Sequence, residues 1–413
     1  MIMNYNNHRS FLPYGKYNSN CDTCINDPLY NPPQANCGTS IASTKNPCPL
    51  KSFCDPGLSN TCSSKPIVNP FGPRRAVTTW KVNYLVSNNT FNQAANIDIN
   101  LVNPWGIVIY DNQLFIANGS TDSITSYDLF GNTLPNSPIS VRDAAHNSSF
   151  PTGIAINCTG GFPVSYGGIT KSAVFLTCSE HGTVHSYNPQ VGSSSFISVS
   201  GLITLNQQLT GEVFSFRGLS IANSTLYLAN FFQGVIDVFD ANYNRLLGFH
   251  FIDGDSIDPI PLDFAPNNIV HIGCFLYVIY ARKDPNVTLQ HLAGPGHGFI
   301  SVFNLDGSWV KRFTSRGVLN SPWAMIPAPC ECGFPPGSFL VGNNGDGRIN
   351  VFDCTGRYVG PMLNQSGLPI YIEGLWGLAP HYSDFSEVFF TSSPTEEENG
   401  FVGSIIKDQV IYF

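Results

Sequence analysis

The stretch Leu340 to Asp353 reads LVGNNGDGRINVFD. Counted from Gly342, Asn344 falls at position 3, Asp346 at 5, Gly347 at 6 and Asp353 at 12, close to the spacing of a calcium-binding loop. Other stretches carry the same pattern: IANGSTDSITSYD ending at Asp128, LTCSEHGTVHSYN at Asn188, LANFFQGVIDVFD at Asp240, and GHGFISVFN at Asn304 after a longer loop. Each is a strand, a short polar turn, and a second strand with an aromatic residue before Asp or Asn, which is the pattern of a β-hairpin. The acidic positions are not shared, because Asp346 is matched by Thr121 or Gln233. Gly342 stands where a calcium loop begins with Asp, and Asp353 where it ends with a bidentate Glu. The stretch therefore reads as one hairpin of a repeat rather than a metal loop. The aligned Asn118, Asn230 and Asn343 are expected at the turn entry because asparagine tolerates left-handed backbone.

A second element precedes each hairpin: NPWGIVI at Trp105, FPTGIAI at Thr152, FRGLSIA at Arg217, FAPNNIV at Asn267, SPWAMIP at Trp323 and GLWGLAP at Trp376. The copies are spaced by about 47 to 65 residues, room for about four short strands each. A strand-only repeat of this length predicts an all-β fold, a six-bladed β-propeller. The last copy ends before a full fourth strand. The stretch WKVNYLVSNN, Trp80 to Asn89, is expected to supply it and close the ring. The domain reading is a Cys-rich N-terminal segment over 1–77 and a propeller over 78–413, closed by pairing of the 80–89 strand with the C-terminal blade.

Of the 413 residues 42% are hydrophobic, enough for a large core, while only 12% are charged and the net charge is -8. That balance excludes a basic nucleic-acid footprint. The longest apolar run, Ile269 to Ala281, is too short to span a bilayer and reads as two strands with a turn. The first residues, MIMNYNNHRSFLPYG, lack the apolar run of an ordinary secretory signal. There are 12 cysteines, many for a reduced compartment. Cys21, Cys24, Cys37, Cys48, Cys54 and Cys62 crowd a leader rich in Pro, Asn and Ser that cannot build a core by apolar burial alone. Disulfides are the expected staple, with zinc as the alternative; sequence cannot choose the pairing.

Residues 80–413 resemble NHL-repeat-like six-bladed propellers. The resemblance is carried by NYLVSNN, LVNPWGI, FPTGIAIN, LYLANFFQGVIDVFD, FAPNNI, GPGHGFISVFNLDGSWVKRF, LNSPWAM, FLVGNNGDGRINVFD and IEGLWGLAP. It implies the propeller fold and brings no catalytic residues with it. The Asn-rich, Cys-rich leader resembles virion proteins of giant DNA viruses, which can oxidise their own particle proteins.

No HExxH, Walker A or GxSxG motif occurs. GPGHGF, Gly294 to Phe299, opens a strand rather than a helix and reads as a loop. DGDSID, Asp253 to Asp258, and TEEENG, Thr395 to Gly400, read as solvated acidic turns, the first with calcium as alternative. His181 and His185, if on one strand, would face the same side and suit a metal pair; no further ligand completes it, and surface residues are the plainer reading.

The blade-start residues Trp105, Thr152, Arg217, Asn267, Trp323 and Trp376 are expected at the channel entrance, where side chains from all blades converge. There they would bind a sugar ring or an anion by stacking and bidentate hydrogen bonds, or else pack between blades. Asn88, Asn118, Asn147, Asn157, Asn223, Asn286 and Asn364 lie in glycosylation sequons. Together these features favour a non-enzymatic structural or surface protein of a virion or fibril layer. The propeller would be its rigid module, needing no cofactor or metal, and it would associate with itself, with other virion proteins or with glycans. A carbohydrate- or protein-binding propeller and a metal-dependent hydrolase or lactonase are the rivals.

Overall fold

A computed structural model describes residues 76–90, 94–141, 148–192, 195–198, 214–329, 333–335, 337–381 and 386–412. The six leader cysteines and Asn147 lie outside the described residues.

Each blade-start motif forms an inner strand: Pro104–Tyr110, Pro151–Ile156, Phe216–Ala222, Phe264–Ile272, Pro322–Pro327 and Leu375–Pro380, in blades one to six. Each pairs antiparallel with a second strand, and that with a third. Blade one adds Gln113–Asn118, Ser123–Asp128 and Ile139–Val141; blade two adds Phe175–Ser179, Val184–Tyr187 and Ser195–Ser198. The outermost strands of these two blades also pair with each other in parallel, Ser195 opposite Ser140. Blade four adds Phe275–Arg282, Gly298–Phe303 and Trp309–Ser315, and blade five Phe339–Asn343, Ile349–Phe352 and Tyr358–Pro361. The fold is a six-bladed β-propeller.

Blade six takes its outer strand from the other end of the domain. Its inner strand is followed by Glu387–Ser392 and Phe401–Tyr412, and Ala76–Ser87 pairs antiparallel with the latter, Lys81 opposite Ile406 and Asn83 opposite Ser404. Trp80 is fully buried there and stacks on Phe334 at 5.9 Å.

Blade three stops at three strands, with Thr225–Asn230 and Val235–Phe239 outside its inner strand. The chain then runs on as an extended strap. Leu246, Phe249, Phe251 and Ile260 face the seam between blades three and four, while Leu247, Ile252, Ile257 and Leu262 face out. Asp253 of the strap accepts hydrogen bonds from Arg312 Nη2 at 2.6 Å and from Ser301 Oγ. Two of the DGDSID carboxylates thus tie strap to blade, Asp253 held against Arg312 and the more exposed Asp258 meeting Arg316 at 3.2 Å, while Asp255 caps its own loop.

An apolar cluster fills each seam between neighbouring blades. Phe115 and Phe175 join blades one and two, Leu176 and Phe216 two and three, and Tyr227 and Phe299 three and four. Ile300 and Met325 join four and five, Leu340 and Trp376 five and six, and Phe389 and Ile107 six and one. Burial at about 25 cal/mol per Å² of apolar surface makes these seams the main source of stability.

The repeated asparagines act differently from the sequence expectation. Asn118 is extended, with φ -110°, and neither Asn230 nor Asn343 has positive φ. Their side chains bracket the turn instead: Asn118 Nδ2 donates to Thr125 Oγ1 at 3.0 Å, Asn230 Nδ2 to Asp237 Oδ2 at 2.8 Å, and Asn343 Nδ2 to Asp346 Oδ1 at 3.0 Å. The left-handed residue comes later in each turn, at Asp122, Gly234 and Gly347. Gly347 is doubly required, because a Cβ there would meet the Ile372 carbonyl at 2.2 Å. The Asp that closes the third strand in blades one, three and five caps the next turn. Asp128, Asp240 and Asp353 each accept backbone N–H bonds from residues two and four positions on. Asp346 and Asp353, the carboxylates of the opening stretch, are therefore spent on separate turns.

Candidate functional site

Antiparallel pairing puts the start of every inner strand beside the turn between the second and third strands. One face of the propeller therefore gathers both sets of residues at the axis. Trp105 and Trp376 stack with ring centroids 3.5 Å apart, and Trp323 stands edge-on to both, at 6.3 and 6.0 Å. The Arg217 guanidinium lies 5.5 Å from the Trp105 ring centroid and 4.0 Å from that of Phe231. Arg217 Nη1 donates to Asn267 Oδ1 at 3.2 Å, Trp323 Nε1 to the Arg217 carbonyl at 3.1 Å, and Thr152 Oγ1 to the Phe216 carbonyl at 2.7 Å. The six blade-start residues thus do converge. All are buried, however, and they close the entrance by packing on one another. None of these three tryptophans presents an open face at the entrance to stack a sugar.

The second–third turns supply groups that the sequence reading did not place at the axis. Glu180, from blade two, accepts from Arg217 Nη2 at 3.0 Å. His291, from the long loop of blade four, meets Arg217 Nη1 through Nδ1 at 3.2 Å and stands edge-on to Trp376. Leu289 O accepts from Arg217 Nη2. Glu397, from the TEEENG turn of blade six, accepts from Asn103 Nδ2 at 2.9 Å, and Asn103 Oδ1 accepts from Trp105 Nε1 at 2.9 Å. That acidic turn is not wholly solvated: its middle glutamate is drawn into the axis.

The electrostatics follow from burial. Desolvation lowers the Arg217 pKa, and the Glu180 carboxylate opposes that. Burial and then the positive charge of Arg217 push His291 down to about 3, so its imidazole is neutral. Glu397 is raised, by burial first and by the Glu180 charge second, with Arg217 pulling the other way. Arg217 Nε and Trp376 Nε1 are buried without a partner, each orphan donor costing about 1–3 kcal/mol.

The remaining candidates scatter. His181 sits on an exposed turn and meets the Ser148 carbonyl, while His185 is buried and meets Thr183 Oγ1, so the two do not form a metal pair. Asn118 is fully buried, and the Asn157 amide is occupied by the Gly161 and Ala173 carbonyls, so neither presents its nitrogen to a glycan in the folded domain. Asn223 and Asn286 are exposed on turns; Asn88 and Asn364 are half-buried, with side-chain oxygens accepting backbone bonds. The signal for the missed residues was position: every second–third turn faces the axis, and the unusually long one in blade four carries His291.

No family model matches the chain. Among solved structures, a Bacteroides thetaiotaomicron protein of unknown function superposes with a TM-score of 0.50 at 8% identity, covering 80% of this chain and 76% of that one. An α-L-arabinofuranosidase of Fusarium graminearum does so with a TM-score of 0.50 at 10% identity, over 79% and 98%. At such identities these likenesses show the fold alone. In sequence, the chain is 67% identical over 369 residues to uncharacterized protein R648 of Acanthamoeba polyphaga mimivirus, covering 89% of this chain and 90% of that protein. It is 65% identical over 374 residues to uncharacterized protein L690 of the same virus, covering 91% and 98%. The chain belongs to the same protein family as R648 and L690 of mimivirus.

Proposed function

We propose that this protein is a non-enzymatic structural module of a giant-virus particle, placed in its surface or fibril layer. The propeller, close in plan to NHL-repeat rings, is the rigid body, and the Cys-rich leader serves assembly or packaging. One observation carries the reading. The axial face on which a propeller would present a ligand site is filled by its own Trp105, Trp323, Trp376 and Arg217, locked by Glu180 and Asn267. Side chains spent on each other stiffen the ring and leave no room among them for a reacting molecule. The mimiviral relatives and the low charge support the same reading.

The test is quantitative mass spectrometry of purified particles, combined with non-reducing electrophoresis of the released protein. Recovery in stoichiometric amounts, in cross-linked form, supports the module. Its absence from particles, with the chain recovered from infected-cell lysate as a reduced monomer, overturns it.

A further inference from the structure

Behind the tryptophan plug the axis stays open. Starting at Trp323, a cavity of about 200 Å³ runs between the six inner strands toward their far ends at Cys158, His271 and Pro380. The walls are aliphatic: Ile107, Ile154, Ile221, Val270, Ile326 and Leu378 all line it, and no Asp, Glu, Lys or Arg does so among the described residues. Its floor is closed because Trp323 is pinned by its Nε1 bond to the Arg217 carbonyl. The aliphatic side chains give an apolar guest a surface to pack on, and the polar groups among them can hold a hydroxyl.

Ser220, Asn268 and His271 line the well, and the Asn268 amide is engaged, donating to the Trp323 carbonyl at 2.9 Å and accepting from the Ile269 N–H at 2.8 Å. His271 Nδ1 is buried with no partner, and Ser220 Oγ accepts the His271 backbone N–H at 3.0 Å, leaving its own proton to give. Burial lowers the His271 pKa, so the ring is neutral. A neutral imidazole nitrogen is a donor in one tautomer and an acceptor in the other, and a hydroxyl satisfies either.

We propose that this well binds a single unbranched alkyl chain ending in a neutral hydroxyl, the chain between the aliphatic walls and the head group beside His271 and Ser220. A blind, narrow, uncharged bore selects against branched, bulky or ionic guests. This inference goes beyond the structural reading above and does not depend on it.

The test uses the full chain with 1-decanol as probe and decanoate as its charged counterpart, followed by native mass spectrometry and by melting temperature. The expected result is saturable binding of one decanol per chain, a melting temperature that rises with decanol, and decanoate at least tenfold weaker. Val270→Phe, which fills the bore, and Val270→Asp, which places a charge in it, each weaken decanol at least tenfold. A melting temperature that falls with decanol, the absence of a one-to-one complex, or equal binding of decanol and decanoate overturns the proposal. So does unchanged binding in a folded Val270 variant. The wild-type measurements stand alone if a variant fails to fold.

Discussion

The indole of Trp376 lies flat on that of Trp105, the planes 14° from parallel, although these residues open the last and the first blades. The contact is where the ring closes on itself. A side chain between them has no space: a Cβ at Gly377 would meet the Trp105 carbonyl at 2.6 Å.

Trp376→Ala is therefore expected to cost about 3–5 kcal/mol, the range for removing a buried aromatic. Urea unfolding of the propeller reads this directly. A loss under about 1 kcal/mol would show that the plug is ornamental to stability.

Arg217 and Glu180 should respond asymmetrically. Removing the partner of a buried charge costs about 3–5 kcal/mol, while replacing a buried cation by an apolar side chain of similar volume costs far less. Arg217 is nearly inaccessible and Glu180 retains some solvent contact, so Glu180→Ala should unfold the protein at lower denaturant than Arg217→Met. The reverse order would mean that Glu180, not Arg217, is the stranded charge.

Acid should destabilise the domain through His291. Its folded pKa, about 3, lies below the ordinary 6.5, so between those values the unfolded chain binds the extra proton. The stabilising contribution is complete above pH 6.5 and is lost as pH falls toward 3. Plotting the urea midpoint against pH for wild type and His291→Gln tests this: the variant should have a shallower slope over that window. Glu397 has the opposite sign. Its raised pKa gives stability at acid pH that is lost as pH rises through the folded value, so Glu397→Gln should raise the midpoint at neutral pH.

Glycopeptide mapping of protein from its natural source should find any N-linked glycan at Asn223 or Asn286 and none at Asn118 or Asn157. The first pair is exposed; Asn118 is buried and the Asn157 amide is occupied. A glycan on Asn118 would require modification before the blade folds.

The fold was largely legible because two periodic signals coincided. Strand alternation marked each hairpin, and the blade-start motif marked each inner strand, with Trp80 to Asn89 left over for the open edge of the last blade. Convergence of Trp105, Arg217 and Trp376 followed from symmetry alone. What symmetry cannot give is depth. Nothing in a local stretch distinguishes a tryptophan facing a ligand from one facing another tryptophan, since the partner comes from a different blade. Glu397 was hidden for the same reason: TEEENG has the composition of a solvated tip, and only the third dimension places Asn103 beside it. The missing outer strand of blade three escaped because its strap keeps an alternating pattern, Phe249, Phe251 and Asp253 inward, without a partner to pair with.

The strand that completes blade six, Ala76–Ser87, precedes all other described strands and is fixed by the last of them, Phe401–Tyr412. Until Phe401–Tyr412 has been made, Ala76–Ser87 lacks its long antiparallel partner and holds only short parallel pairings such as that with Asn96–Ile97. Loop closure of that span is slow, and an idle strand edge is an invitation to a neighbouring chain.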